Sequence, residues 1–430
     1  MQINFAGYTT RIVVFRKDPA ADTMGIIYTH KLKPGMILAE EVRDLNGRLL
    51  LGKGKRIGRS HIRIFKIWGV TEVHVVGDIG IKEEPELSVD PELIEKTEEK
   101  TKPIFVHVDL DHPAIKEIFR LSVEYRSQND IPEDETESII KPTGPTRLAF
   151  DNDLLKKLSK KKISLPEIPS IVSDLNEVTS NPLSSAEDIA NVINNSPSLT
   201  ATLLKIVNSA LYGHPSKIDK VSKAVTIIGT KEICGLALAI GVITIFKKIP
   251  KEIINMYSFL RHSIACAIIS RILAAHKNLP QTEQLFVSGL LHDLGRVLLY
   301  TYFPEDSLTM LNNCRKSEKL LYQQEDEYLG CNHAHIVQYL MQHWKLPIAS
   351  ENNVVYHHSP SESQNPVPAT IVHLADIMVN ALGMGSSGER FVPPLNYEAW
   401  EELDLSASCF EVVFKQAIHQ FNSLEAILNN

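Results

Sequence analysis

The amino-acid sequence predicts a mainly α-helical protein with a small β-rich domain near its N-terminus. Over the C-terminal two thirds of the chain, apolar residues recur three and four positions apart, as in Leu199, Leu203, Leu204 and Val207. This is the spacing of a helix with one buried face. After Lys160, no run of alternating apolar and polar residues is long enough to indicate a strand. The turn signals typical of short strands are concentrated upstream of this region.

Length and charge limit the classes of function. The chain has 430 residues, of which 43% are hydrophobic and 23% charged, and its formal net charge is −7. This length predicts two or three domains, and the apolar fraction excludes a wholly disordered protein. The mild acidity argues against one large nucleic-acid-binding surface. The lysine-rich segment Leu154–Lys162 leaves a local nucleic-acid contact as an alternative, but such a run without aromatic residues is usually a solvated linker.

A small β-rich domain is predicted at residues 25–78. Asn46-Gly47 lies between short apolar runs, which is a strong signal for a hairpin between two strands. Ser60 can cap a helix that runs from about His61 to Trp68. A strand rich in β-branched residues follows at Glu72–Val76. These signals together predict several short strands and one helix.

The composition changes after this domain. Between Ile81 and Lys100, eight residues are acidic and three are basic, and prolines punctuate the following residues. One amphipathic helix is predicted at Pro113–Gln128. The predicted organisation is an N-terminal extension at 1–24, the β-rich domain at 25–78, an acidic linker with one helix at 79–150, and a helical body at 151–430 whose halves are 151–250 and 251–430.

Helix ends within the body are marked by polar residues. Ser184 followed by Glu187 has the spacing of a capping box, and Thr230 precedes a long apolar stretch. Asn208 and the nearby Tyr212 follow an apolar helix, where we expect a C-terminal cap and a turn. The alternative is that this turn packs against the second half of the body and shapes its site.

Cysteine usage and apolar segments predict a cytoplasmic protein that does not cross a membrane. The five cysteines are scattered, form no Cys-x-x-Cys pair and are expected to be buried, reduced thiols. The longest apolar run, Cys234–Phe246, is too short to span a bilayer. The first 18 residues contain no apolar core of a signal peptide.

Histidine and aspartate residues within apolar helical segments are the strongest functional signal. A single histidine on an apolar helix is more often a core residue whose hydrogen bonds are satisfied. Several buried histidines and aspartates without partners are costly, and binding of a divalent metal would compensate for that cost. The candidate metal ligands are His262, His292, Asp293, His333, His357, His358 and Asp376.

The set is large enough for two metal ions. One ion would be held by His262, His292, Asp293 and Asp376, and a second by the remaining histidines with Asp293 as the bridge. Two metals a few ångströms apart activate water and bind phosphate oxygens, an arrangement for phosphoester hydrolysis. Histidine and carboxylate ligands suit Fe, Mn, Ni and Zn alike, so the prediction is one or two divalent ions of unspecified identity. Three further histidines are expected to be surface or supporting residues: His335, His343 and His373.

The segment Gly289-Leu-Leu-His-Asp-Leu-Gly-Arg296 resembles the signature of the HD superfamily of metal-dependent phosphohydrolases. The His…His-Asp…Asp skeleton of that superfamily corresponds to His262, His292-Asp293 and Asp376. The segment Leu165–Leu238 is similar to the first half of HDOD domains, the HD-related output domains of bacterial signalling proteins. The whole resemblance extends over about residues 160–382. It is carried by Ser196-Pro197-Ser198-Leu199, Asn208-Ser209, Tyr212-Gly213, His333, Trp344, Leu346-Pro347 and His357-His358.

Residues 29–77 resemble the small domain that precedes HD-GYP phosphodiesterases, which hydrolyse cyclic di-GMP. The resemblance is carried mainly by Leu32-Lys-Pro-Gly-Met36. The chain departs from HD-GYP enzymes in two ways: no Gly-Tyr-Pro stretch follows His358, and Arg296 stands where those enzymes usually have lysine.

The resemblance implies a bacterial signal-transduction output protein whose HDOD domain binds a signalling partner protein or a small ligand, with any metal in a structural role. The alternative is a metal-dependent phosphohydrolase or cyclic dinucleotide phosphodiesterase, so catalysis stays open at this point. In that alternative, Asp293 bridges the metals and Arg296 contacts a phosphate oxygen. The competing interpretation of Arg296 is a surface side chain packed over the next helical turn. No membrane or nucleic-acid partner is expected, and no oligomeric state is predicted.

Overall fold

The chain divides into two compact units. The N-terminal unit comprises residues 1–66 and 70–84, and the helical unit comprises residues 67–69 and 85–430. Their architecture confirms the predicted fold class, a helical body with a small β-rich N-terminal part. The computed structural model describes residues 24–28, 32–43, 49–67, 70, 72–76, 91–129, 170–181, 183–209, 211–212, 217–245, 249–250, 253–344 and 348–428.

In its described residues, the N-terminal unit has two pairs of antiparallel strands and one helix. Strand β1 (Met24–Tyr28) pairs with β4 (Glu72–Val76), and Met24 lies opposite Val76. Strand β2 (Val42–Arg43) pairs with β3 (Leu49–Leu51). The predicted Asn46-Gly47 turn falls between β2 and β3 but lies outside the described residues, as does most of the predicted N-terminal extension. The core of this unit includes the buried side chains of Leu38, Ile57, Phe65 and Val75.

Helix α1 (Arg59–Ile67) begins earlier than predicted. The carbonyl of Gly58 accepts a hydrogen bond from Ile62 N–H, and Gly58 N–H donates to Nδ1 of His61 at 3.0 Å. The first turn is therefore closed from Gly58. Ser60 lies inside the helix, and the prediction that it caps the helix was wrong.

The described part of the helical unit contains seventeen α-helices and three single turns of 3₁₀ helix. Their order along the chain is α2 (Pro91–Thr101), α3 (Pro113–Gln128), α4 (Ser170–Ser180), α5 (Ala186–Asn194), α6 (Pro197–Val207), α7 (Val221–Ile228), α8 (Thr230–Ile245), α9 (Met256–His276), α10 (Thr282–Leu291), α11 (Leu294–Tyr302), α12 (Pro304–Ser317), α13 (Leu321–Leu329), α14 (His333–His343), α15 (Ile348–Val355), α16 (Pro366–Leu382), α17 (Tyr397–Leu403) and α18 (Phe410–Leu428).

Residues 91–129 form part of the helical unit. Helix α3 has the bounds predicted for it, and its buried residues pack against α16 and α18. Helix α2 was not predicted. The Nε and Nη2 atoms of Arg126 donate to the carbonyls of Ala381 and Asn380 at the end of α16, at 2.8 and 3.3 Å. The segment predicted as an acidic linker thus contains two helices, α2 and α3, that belong to the helical unit. The domain boundaries given by the sequence stay a prediction.

Helix α9 is the central helix of the unit and packs against α10, α16 and α18. By length and composition it could cross a membrane, but 67% of its apolar window is buried inside the protein, as in core helices. Four of the five cysteines are buried, as predicted. Cys409 is partly exposed.

The capping box predicted at Ser184 and Glu187 lies one residue further along. The hydroxyl of Ser185 accepts from Asp188 N–H at 3.2 Å, and the Asp188 carboxylate accepts from Ser185 N–H at 2.8 Å. Two consecutive serines are each followed three positions later by an acidic residue, so the pattern has two registers, and the prediction used the wrong one. Thr230, predicted to cap the helix that follows, is instead the first residue of α8.

The turn after α6 provides the predicted cap and also contacts the second half of the body, whereas a role in shaping the site stays a prediction. Asn208 is the C-terminal cap of α6, and its side-chain amide exchanges two hydrogen bonds with the backbone of Ile218, at 2.7 and 2.8 Å. Tyr212 donates its hydroxyl proton to Glu283 at 2.7 Å, and the Arg271 guanidinium lies 4.9 Å from the Tyr212 ring centroid. The turn is therefore also fixed to helices α9 and α10 of the second half.

Candidate metal centre

Five separate segments of the helical unit bring the seven predicted metal ligands together. One ligand lies in the first half of α9 and one in the second half of α16. A consecutive pair connects α10 to α11, one ligand is the first residue of α14, and another pair follows α15. In that order the residues are His262, Asp376, His292 with Asp293, His333, and His357 with His358.

Two glycines that flank the His-Asp pair allow this convergence. A Cβ atom at Gly289 would lie 2.8 Å from the backbone oxygen of Cys266, so α10 packs on α9 at a distance that only glycine permits. A Cβ at Gly295 would overlap the carbonyl of His333. The glycines of the motif therefore set the approach of α10 and α11 to the helices that carry His262 and His333.

The first cluster is formed by His262, His292, Asp293 and Asp376. The Nε2 atoms of the two histidines are 3.3 Å apart. Asp376 Oδ1 lies 3.2 Å from Nε2 of His262 and 3.5 Å from Nε2 of His292, and Asp293 Oδ2 lies at 3.4 and 3.2 Å from the same two atoms. Ligand atoms about 2.0–2.1 Å from a tetrahedral ion would be about 3.3 Å from one another. The four residues therefore have the spacing of a metal site.

The second cluster is formed by His333, His357 and His358. Nε2 of His333 lies 3.3 Å from Nε2 of His357 and 3.1 Å from Nε2 of His358. It also lies 3.0 Å from Asp293 Oδ1, the carboxylate oxygen that does not face the first cluster. Asp293 thus directs one oxygen to each cluster, which is the bridging position predicted for it.

Hydrogen bonds behind the rings decide which nitrogen faces the clusters. Nδ1 of His292 donates to the carbonyl of Gly289 at 2.8 Å, and Nδ1 of His357 donates to the carbonyl of Val354 at 2.5 Å. Nδ1 of His333 donates to Glu325 Oε2 at 2.6 Å. A neutral imidazole that donates from Nδ1 carries a lone pair on Nε2, the form that binds metals.

These ring orientations fit a metal ion. Two Nε2 lone pairs 3.3 Å apart, as in His333 and His357, repel each other unless a proton or a cation lies between them. Asp293 Oδ1 is buried and has no hydrogen-bond partner with suitable geometry. Buried acceptors without donors are rare in proteins, so this donor set matches a centre for one or two divalent cations.

The charges within the clusters affect one another strongly. Burial lowers the pKa of His292, but the Asp293 and Asp376 carboxylates outweigh burial and raise this pKa to about 10. Burial raises the pKa of Asp293, but Arg296 and the neighbouring histidines hold it well below its usual value. Burial raises the pKa of the Cys266 thiol well above its usual value. Without a cation, protons compensate for the two carboxylates, and a metal ion would displace them.

Arg296 is buried, so its interpretation as a surface arginine was wrong. Its Nε donates to Glu325 Oε1 at 3.1 Å, and its Nη1 donates to the Ser387 hydroxyl at 2.7 Å and lies 3.4 Å from Asp293 Oδ2. The side chain connects Asp293 to Glu325, which in turn holds His333. A contact between Arg296 and a phosphate oxygen stays a prediction.

Sequence reasoning missed several residues around the clusters. Glu325 lies eight residues before His333 in another helix, and no pattern marks it. Asn380 donates to Asp376 Oδ1 at 2.8 Å from one helical turn away. Cys266 lies one turn after His262, a spacing that could have indicated its proximity. The supporting role expected of His373 is present, because its Nδ1 donates to the His357 carbonyl at 2.7 Å. His343 and His335 are both exposed, as expected of surface residues.

Comparison with known proteins identifies the domain that holds these residues. Residues 165–360 match the model of the HDOD domain family, so the chain contains an HDOD domain. The matched region includes six of the seven predicted ligands and ends before Asp376. An uncharacterized protein of Treponema pallidum (strain Nichols) is 25% identical over 217 residues, which cover 48% of this chain and 40% of that protein. This chain thus aligns with about two fifths of that relative.

Solved structures share the fold. An HDOD domain protein with unknown function from Geobacter sulfurreducens superposes with a TM-score of 0.52 at 19% identity, over 63% of this chain and 96% of that chain. A protein from Shewanella amazonensis SB2B, provisionally named a phosphohydrolase, has a TM-score of 0.50 at 20% identity, over 63% and 97% of the two chains. A protein from Marinobacter aquaeolei VT8, provisionally named a signal transduction protein, has a TM-score of 0.50 at 19% identity, over 76% and 68%.

Proposed function

We propose that this chain is a metal-dependent phosphohydrolase of the HDOD type that acts on phosphoesters in a signalling context. The position of Asp293 carries the proposal. Its two carboxylate oxygens face two histidine sets at 3.0–3.4 Å, as a bridging ligand between two ions would. Bound divalent ions would supply an activated water and positive charge for the phosphate oxygens.

The residues of the chain prepare the site for this chemistry. Glu325, Gly289 O and Val354 O orient three histidine rings so that Nε2 faces inward, and Asn380 holds Asp376. The first cluster lies among α9, α10, α11 and α16, and its ligands are buried. Asp376 is the most exposed of them, at 5%. Such fixed orientation and low solvent access strengthen electrostatic interactions with a charged substrate.

The substrate would approach beside His358. This histidine is the partly exposed member of the second cluster, and the Tyr322 ring stacks on it at a centroid distance of 4.1 Å. Tyr322 is itself partly exposed, so part of its ring lies at the surface near the site. An aromatic ring at the entrance suits a nucleotide substrate, because bases stack on such rings. A cyclic dinucleotide is therefore a substrate to test, although the Gly-Tyr-Pro stretch of HD-GYP enzymes is missing.

The burial of the clusters favours a second function. His262, His292, His333 and His357 have no exposed surface. A metal centre that no substrate reaches would be structural, and the HDOD domain would then act as a binding module for a partner protein or a small ligand. The existence of a separate N-terminal unit is compatible with such a regulatory protein.

Metal analysis and hydrolysis assays separate the two functions. The full chain is purified without chelator, its metal content is measured, and it is assayed with Mn²⁺ or Fe²⁺ on bis(p-nitrophenyl) phosphate and cyclic di-GMP. We expect hydrolysis that falls by at least about 100-fold in His358→Ala, since metal ions contribute several kcal/mol to such reactions. The control His343→Ala removes an exposed histidine of α14 and should retain activity. Bound metal without hydrolysis would contradict the enzyme and support the binding module.

A further inference from the structure

Cys266 lies where a further ligand of the first cluster would be. It follows His262 by four residues on α9, so the two side chains share one face of the helix. Its Sγ lies 3.7 Å from Nε2 of His262, and the ligand atoms of His262, Cys266, His292 and Asp376 all lie within 4.8 Å of one another. Cys266 is fully buried. The thiol therefore lies beside the cluster and not at the protein surface.

The distance agrees with shared coordination. With ligand distances of about 2.3 Å to sulfur and about 2.0–2.1 Å to nitrogen and an angle of about 109° at the ion, the two ligand atoms would be about 3.5 Å apart. The observed separation between Cys266 Sγ and His262 Nε2 is 3.7 Å. The separations among the other atoms of the cluster, 3.2–3.5 Å, agree with the same ion.

A second observation concerns the burial and charge of the first cluster. His262 and His292 have no exposed surface, and Asp293 and Asp376 are only 1% and 5% exposed. Two carboxylates, Asp293 and Asp376, lie beside the paired Nε2 atoms of His262 and His292. A buried set of this composition needs a positive charge at its centre.

From this geometry we infer that Cys266 is a thiolate ligand of the first metal ion and makes that position selective for Zn²⁺, Fe²⁺ or Co²⁺ over Mn²⁺ and Mg²⁺. Thiolate ligands favour the softer metals, whereas a site of imidazole and carboxylate alone discriminates less. The thiol proton is released to solvent when the ion binds. The second ion, held by His333, His357 and His358, would have no sulfur ligand.

This inference rests on the proposed metal centre. A cobalt experiment has different outcomes if Cys266 is not a ligand and if the chain binds no metal. The full chain is stripped with chelator and reloaded with Co²⁺, and its near-ultraviolet absorption is recorded together with its cobalt content. We expect a thiolate-to-cobalt charge-transfer band that is lost in Cys266→Ser and Cys266→Ala. Cys314→Ala, at a buried cysteine of α12, should retain the band. His358→Ala should also retain it, because that change affects the second cluster.

Competition between metals provides a second measurement. The wild-type preference for Zn²⁺ over Mn²⁺ should fall at least about tenfold in Cys266→Ser. Bound cobalt without the band in the wild-type chain would overturn the inference and leave the phosphohydrolase proposal standing. A wild-type chain that binds no cobalt would overturn both. The wild-type spectrum decides the matter even where a Cys266 variant does not fold.

Discussion

Glu325 binds His333 twice: its Oε2 accepts a hydrogen bond from the backbone N–H of His333 at 2.9 Å and another from Nδ1 at 2.6 Å. Its other oxygen accepts from Arg296. The Glu325 carboxylate thus holds the first residue of α14 in place and also sets the orientation of the His333 imidazole. These three hydrogen bonds come from charged or polar donors and compensate for the burial of the Glu325 carboxylate.

The variant Glu325→Gln should weaken the second metal site. The neutral amide is a poorer acceptor for Nδ1 and lowers the basicity of the His333 ring, which typically costs about 10–100-fold in metal affinity. Calorimetric titration with Mn²⁺ measures the change. The control Glu327→Gln removes an exposed carboxylate from the same helix and should leave affinity unchanged. Unchanged binding in Glu325→Gln would show that the hydrogen bond does not support a metal ligand.

Glu389 should make stability depend on pH. Burial raises its pKa from 4.5 to about 7, although Arg296 and the N–H groups of Leu321 and Phe391 oppose this. Because the folded pKa lies above the unfolded one, the folded protein binds the proton more tightly. The contribution is fully present below about pH 4.5 and is lost as the pH rises through about 7.

The variant Glu389→Gln should remove this dependence, since the amide resembles the protonated acid. Relative to the variant, the wild-type chain should lose up to about 3 kcal/mol of unfolding free energy between about pH 5 and about pH 8. Urea unfolding at both pH values measures the difference. Glu402→Gln, at an exposed position, should follow the wild-type curve. A wild-type chain that gains stability over Glu389→Gln as the pH rises would contradict the assignment.

The variant Gly295→Ala should disrupt both clusters. Its methyl group would overlap the carbonyl of His333, and backbone cannot move aside as a flexible side chain can. We expect destabilisation of at least about 2 kcal/mol and loss of metal binding. Gly241→Ala is a matched control, because its Cβ would meet Val172 at 3.4 Å, an ordinary contact, and alanine favours a helix. Thermal unfolding and metal content report the two effects.

The variant Asn208→Ala should lower stability without affecting metal content. It removes the two hydrogen bonds to Ile218 and one to the Leu204 carbonyl, a loss of about 1–3 kcal/mol. Asn191→Ala, in the exposed face of α5, should leave the free energy of unfolding near the wild-type value. A change in metal stoichiometry for Asn208→Ala would instead indicate that the turn after α6 shapes the centre.

The convergence of the seven candidate ligands could be predicted because their motif is local and their order is distinctive, whereas their binding of metal stays a prediction. Glu325 could not be predicted, because a glutamate in a polar helix looks the same whether it faces solvent or His333. Arg296 lies next to the motif, but its burial depends on Ser387, which is distant in sequence. The capping box at Ser185 shows a different limit: two equivalent patterns compete locally, and tertiary packing chooses between them.

The hydrogen bonds of Arg126 have a practical consequence for truncated forms of this protein. A chain cut at residue 165, where the family match begins, would lack the guanidinium that binds the last carbonyls of α16. Asn380, which supplies one of those carbonyls, also donates to Asp376. The start of the family match and the boundary of the stable fold are therefore different, and the smallest fragment expected to keep Asp376 in place includes α3 and begins before Pro113.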